Sequence, residues 1–345
     1  MPTAAHNAQT KSNFNSIELA NRMSVPTQDT VDAARPRHFR TRMMGVLIVL
    51  VGFIHPIIGH WIADRLGDIV MRVAHKSRRA VINNMHHVLG PVPRDVLKRN
   101  VRGVFRNLVR AYFDLCRAPS LSNEQIDRMV DFDEKGWARV VELHEQGKGI
   151  ILVSGHYGAF DEITQVISRR GLPLTVLIAQ FKPAWVSDFI TQLRAARGLR
   201  MVLVSEEEGH SLNLAALKES IHLLRRGELL GVIADRNLEE RGVAIPFFGE
   251  EAVMAAGVAK MALRTRSTIV TSFCTRLPRK RYSVVFDEPI EPVGSASNEE
   301  DIRNLLVKIF ARFEHYISRN PDQWLLLQPV WPDGQAIIKE MKGKK

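Results

Sequence analysis

Cysteine is nearly absent: 345 residues hold two, Cys116 and Cys274. That excludes a disulfide framework, and no CxxC pair suggests a metal or redox site. A reducing, cytoplasm-facing location fits such usage. Aromatic residues are only 7% of the chain, so its basic stretches lack the aromatic interleaving of many nucleic-acid grooves, and no nucleic-acid partner is expected. No apolar run reaches the ~20 residues of a spanning helix without polar interruption. Internal repeats are missing, as is any ligand cluster with metal spacing, so neither metal nor other cofactor is expected.

What is present is ordinary globular composition, 45% hydrophobic and 25% charged, enough for one large domain or two modest ones. Lys and Arg total 48 against 37 Asp and Glu, a net charge of +11. Such an excess suggests an anionic partner, whether nucleic acid, membrane surface or acidic substrate. It is concentrated between Arg72 and Arg117, where eleven basic residues meet two acids.

The chain divides by texture. Residues 1–42 read as a disordered tail that ends in the basic cluster from Arg35 to Arg42. Residues 43–128 read as a helical, membrane-associating region. Its apolar stretch 43–63 is broken by His55, Pro56 and His60. A cleaved signal peptide is disfavoured, because the stretch starts late and no small-residue cleavage site follows. A span would place the basic N-terminal side in the cytoplasm and the remainder outside. An interfacial or half-inserted helix avoids that conflict. The following segment, 94–117, has apolar residues at helical spacing with Arg94, Lys98, Arg99, Arg102, Arg106 and Arg110 between them. These suit either a solvated face or anionic lipid head groups.

Residues 129–332 alternate strand and helix patterns, which argues an α/β fold with a mainly parallel central sheet flanked by helices. Strands are expected at 149–154, 174–179, 200–204, 229–234 and 268–273, with an antiparallel sixth at 282–286. Helices are expected at 161–170, 185–197, 213–226, 252–265 and 299–319. Residues 333–345 form a basic C-terminal tail.

The sharpest chemical signal is Ser154-Gly155-His156-Tyr157-Gly158-Ala159-Phe160-Asp161-Glu162. It follows a buried strand, and ligands bind at the carboxyl ends of parallel strands. Gly155 and Gly158 permit close backbone approach to a substrate. On a regular helix, His156 and Asp161 would lie about 140° apart. They can pair only if His156 sits on the turn before the helix. The pair would then be a base and its orienting carboxylate. The competing reading is a capping turn with a satisfied histidine.

His156-x4-Asp161 resembles the HX4D/E motif of the lysophospholipid acyltransferase superfamily, and the chain more closely resembles the bacterial lipid A late acyltransferase family of lauroyl/myristoyl type, which includes phosphatidylinositol mannoside acyltransferases. Five blocks carry the resemblance in order: Arg78 to Met85, Ser154 to Asp161, Leu229 to Arg236, Val243 to Gly249, and Asn320 to Trp324 with Trp331. Ala159 stands where the family usually has Asn, Asp161 where it often has Glu, and Arg236 where it has Gln.

The resemblance implies a glycerolipid acyltransferase-like fold. It implies a membrane-associated enzyme on the cytoplasmic face of the cytoplasmic membrane. An acyl carrier protein or acyl-CoA thioester would donate a fatty acyl group to a glycolipid hydroxyl, such as that of a lipid A precursor or acylated sugar lipid. His156 would be the base and Asp161 its partner. A lysophospholipid acceptor, or a non-catalytic lipid-binding protein of the same fold, are the alternatives. Backbone N–H groups near Gly155 to Gly158 are candidate oxyanion donors. Asp235 and Arg236 are candidate substrate-binding residues, Arg236 alternatively pairing with Glu239 or Glu240 on the surface. Phe247, Phe248 and Gly249 would shape an acyl pocket or end a core turn. Glu206 to Glu208 read as a solvated loop, and Trp324 and Trp331 as core anchors.

Overall fold

The computed structural model describes residues 51, 54–180, 183–195, 198–204, 214–237, 242–278, 281–334 and 336–337. The expectations for the tail 1–42, for nearly all of 43–53, for Glu206 to Glu208, for Glu239 and Glu240, and for 338–345 lie outside them.

Helix α1 (Pro56–Val73) starts at the proline that interrupts the apolar stretch. Proline suits the first helical turn, where its missing N–H would have had no partner. No described helix is long and apolar enough to cross a membrane. Helices α2 (His75–Leu89) and α3 (Arg94–Arg117) follow. The apolar period of α3 buries Val101, Val104, Phe105, Ala111 and Leu115. Its arginines correct the reading of a free basic face. Arg102 and Arg106 both grip Asp68 of α1 through paired bonds of 2.5–2.8 Å. Arg110 donates to Asp64 at 2.7 Å. The charge therefore fastens α1 to α3, leaving Arg94, Lys98 and Arg99 exposed.

After α4 (Asn123–Met129) come β1 (Val130–Phe132), α5 (Glu134–Glu145), β2 (Ile150–Ser154), α6 (Phe160–Ile167), β3 (Leu174–Ala179), α7 (Ala184–Ala195), β4 (Arg200–Val204), α8 (Leu214–Arg225) and β5 (Leu229–Ile233). A hairpin, β6 (Val243–Phe247) and β7 (Glu250–Met254), precedes α9 (Gly257–Thr265), β8 (Thr268–Leu277), β9 (Arg281–Phe286) and α10 (Glu299–Arg319). Seven strands form one sheet in the order β1-β9-β8-β2-β5-β3-β4. Only the β8–β9 pairing is antiparallel. The α/β, mostly parallel architecture is as expected. One helix expectation fails: 252–254 is strand, because Phe248 and Gly249 both take positive φ and turn the chain back on itself.

Strand β2 is buried on both faces, which is why it reads as an unbroken apolar run. Ile151 and Val153 join one core with α2, α3, α9 and α10. Ile150 and Leu152 join the other with α5, β1 and β9.

Candidate active site

Strands β2 and β5 are parallel neighbours, with Ser154 opposite Ile233. Ala234 N–H donates to the Ser154 carbonyl at 2.9 Å and extends the pairing by a step. Two residues beyond that register, His156 faces Asp235. The imidazole Nδ1 lies 2.7 Å from Asp235 Oδ1, and the His156 backbone N–H donates to Oδ2 at 2.8 Å. An ionised carboxylate only accepts, so Nδ1 carries a proton, and in the neutral ring Nε2 then keeps its lone pair. Asp235 is 2% exposed, whereas the His156 side chain is 30% exposed. The result is a buried acid behind an accessible base, the ring of which lies edge-on to Phe160.

Asp161 does not reach His156. It lies in the first turn of α6 and accepts from Arg194 Nε of α7 at 2.7 Å. The 140° helical offset thus prevails, and the residue that orients the imidazole is Asp235. Parallel adjacency was the available signal: the expected strands 149–154 and 229–234 each deliver a polar residue at the carboxyl edge.

The turn that carries His156 uses its own backbone donors within the protein. Tyr157 N–H donates to the Gly155 carbonyl, Gly158 N–H to that of Gln323 at 2.8 Å, and Ala159 N–H to that of Cys274 at 2.9 Å. With His156 N–H on Asp235, the N–H groups of residues 156–159 all have partners within the protein. Both glycines make close approaches to protein. A Cβ on Gly158, which has φ +58°, would lie 2.0 Å from the Cys274 carbonyl oxygen. One on Gly155 would crowd Phe313 and Asp235 Oδ2.

Residues 321–326 run alongside this turn. Leu325 N–H donates to the His156 carbonyl at 2.6 Å, and Trp324 Nε1–H donates to Asp235 Oδ2 at 2.9 Å. The Gln323 side chain holds Arg276 at both backbone groups. Arg236 Nε donates to Gln328 Oε1 at 3.2 Å. Phe247 is fully buried against Trp324, Trp331 and Phe310, while Phe248 and Gly249 form the hairpin turn. These aromatics stand behind Asp235, so Trp324 is both core anchor and part of the site.

A second polar cluster adjoins α6. Asp114 receives Arg276 Nη1 at 2.6 Å and Tyr282 hydroxyl at 2.9 Å, and lies 2.8 Å from His60 Nε2. Burial opposes its charge, but Arg276 and His60 hold its pKa below the ordinary carboxylate value. Glu162 points into the same region with no hydrogen bond to its carboxyl from another described side chain. Burial, then the nearby Asp114 charge, pushes its pKa up to about 8. A cavity of about 30 Å³ between Glu162, Asp114, Arg117 and Tyr282 has room for one or two waters. Among the described residues, no group of three or more His, Cys, Asp or Glu is placed to hold a metal ion.

A histidine held by a buried carboxylate at the carboxyl edge of neighbouring parallel strands can take a proton from a hydroxyl or water. The chain belongs to the bacterial lipid A biosynthesis acyltransferase family, whose profile matches residues 34–332. It is similar to a phosphatidylinositol mannoside acyltransferase of Mycobacterium tuberculosis, 23% identical over 74% of this chain and 78% of that one. The corresponding protein of Mycolicibacterium smegmatis is 24% identical over 72% and 77%. A lipid A biosynthesis acyltransferase of Haemophilus influenzae is 20% identical over 94% and 98%.

Proposed function

We propose that this acyltransferase moves a fatty acyl group from an acyl carrier protein or acyl-CoA thioester to a hydroxyl of a glycolipid, with His156 as general base and Asp235 as its partner. Nε2 takes the proton of the acceptor hydroxyl as its oxygen attacks the thioester carbonyl carbon. The C–S bond breaks as the tetrahedral intermediate collapses, and the same proton passes to the departing thiolate. Asp235 fixes the tautomer and stabilises the imidazolium between those steps. Arg236, one residue beyond Asp235, is the cation for the developing oxyanion or for a phosphate on donor or acceptor. The observation that carries the reading is the 2.7 Å bond from His156 Nδ1 to a fully buried Asp235, with the His156 side chain itself 30% exposed.

The enzyme works at a membrane surface on its cytoplasmic face. Support comes from α1, which exposes Ile57, Ile58, Trp61, Leu66, Ile69 and Val73. Trp185, Leu203 and Leu214 are exposed at the carboxyl edge of the sheet, the edge that carries His156. Arg94, Lys98 and Arg99 supply attraction to anionic lipid.

Steady-state acyl transfer by four variants tests the chemistry. His156→Ala and Asp235→Asn should each lower turnover by about 10²–10⁴. Asp161→Asn should cost less than Asp235→Asn, because Asp161 serves Arg194. Arg236→Gln should raise KM for a phosphorylated substrate if it binds one, or lower kcat if it meets the oxyanion. Near-normal transfer by folded His156→Ala protein sinks the mechanism.

A further inference from the structure

From the described residues the Asp235 carboxylate accepts three hydrogen bonds, and two come from the residue it serves: the His156 ring and the His156 backbone N–H. The third comes from the Trp324 indole, 2.9 Å from Oδ2. Trp324 is 1% exposed, wedged edge-on between Phe247 and Trp331. An indole N–H can donate but not accept, so this contact suits the ionised carboxylate. The charged groups on the neighbouring elements are already engaged: Arg236 with Gln328, and Asp161 with Arg194. Neither pair replaces the indole bond. The backbone beside the indole is tied to the same turn, because Leu325 N–H donates to the His156 carbonyl.

Resting on the base assignment above, we propose that Trp324 is a positioning residue for acyl transfer, its indole N–H holding Asp235 ionised and correctly turned toward His156. Hydrogen bonds to a charged carboxylate favour that charge. Removing the donor makes Asp235 cling harder to a proton shared with the imidazole. The imidazolium is then favoured to higher pH, and less of the free base is present at neutrality.

The test replaces Trp324 with β-(3-benzothienyl)alanine, which keeps the bicyclic shape and lacks the N–H. Trp324→Phe is made beside it, and Asp235→Asn serves as the control for the base assignment. With the thienyl variant, kcat/KM at neutral pH should fall about ten- to a hundred-fold, the range for losing a bond to a buried charge. The acidic limb of the pH–rate profile should move to higher pH, and part of the loss should be recovered at alkaline pH. The ring titration of His156, followed by NMR, should move the same way without any substrate. A loss that is uniform across pH, or no loss at all, overturns the proposal and leaves Trp324 a core anchor. If Asp235→Asn is itself near-normal, the base assignment fails; if Asp235→Asn is inactive and the thienyl variant normal, only the role of Trp324 fails. Should Trp324→Phe not fold, the isosteric variant still decides.

Discussion

Glu162 and Asp161 are consecutive in α6, yet their surroundings are opposite. Asp161 has an arginine at 2.7 Å, and Glu162 has a buried carboxyl with no hydrogen bond from another described side chain and its pKa pushed up to about 8. The unfolded chain ionises Glu162 near the ordinary carboxylate value, while the fold resists ionisation until the higher pKa. Its contribution to stability is therefore complete in acid and is lost as pH rises through about 8. Glu162→Gln should match the parent in thermal melts at pH 4 and exceed it increasingly towards pH 8. The same pair of residues marks how far the site was legible. His156 was visible from its place after a buried strand. The choice of acid was not, because the near carboxylate in sequence is turned away by helical geometry, while the true neighbour arrives from a parallel strand 79 residues on.

At the scale of elements, the joint between α1 and α3 depends on one acid. Asp68 is 3% exposed, and its hydrogen bonds from Arg102 and Arg106 hold its pKa well below the ordinary carboxylate value. Stability from a depressed carboxylate is present above its unfolded pKa and lost as pH falls towards the folded one. Asp68→Asn should thus cost about 1–3 kcal/mol at neutral pH, from bonds to charged groups, with the difference from the parent shrinking in acid. Hydrogen exchange should locate the loosening in α1. Helix periodicity and buried-strand runs made most elements readable, with α3, α10, β3 and β4 at their expected limits. The three residues of β1 are too few to carry a pattern, and β7 was hidden because its apolar positions also suit a helix. The arginine stripe of α3 could be read only as charge, since its partners Asp64 and Asp68 lie on another element.

Across the whole molecule, the exposed apolar side chains of α1 and those at the carboxyl edge of the sheet give the vesicle test its form. Trp61→Asp combined with Ile69→Asp should weaken binding to anionic vesicles at least about ten-fold in co-sedimentation, given ~1.5–3 kcal/mol for each large apolar side chain buried. High salt should weaken the residual binding of this variant further, because only the screened charge attraction is left. Equal binding by parent and variant would remove α1 as the contact.

The candidate site is stitched from widely separated parts of the chain: His156, Asp235, and the closing segment with Gln323, Trp324 and Leu325. This sets an order in time. A ribosome finishes α1 about 250 residues before it reaches Trp324, an interval of roughly 12–50 s at ~5–20 residues per second. Helix α1, with its exposed apolar side chains, is complete through that interval while the segment that contacts Asp235 and His156 is still to be made. During synthesis, the apolar face of α1 is thus available before the contacts around Asp235 can form.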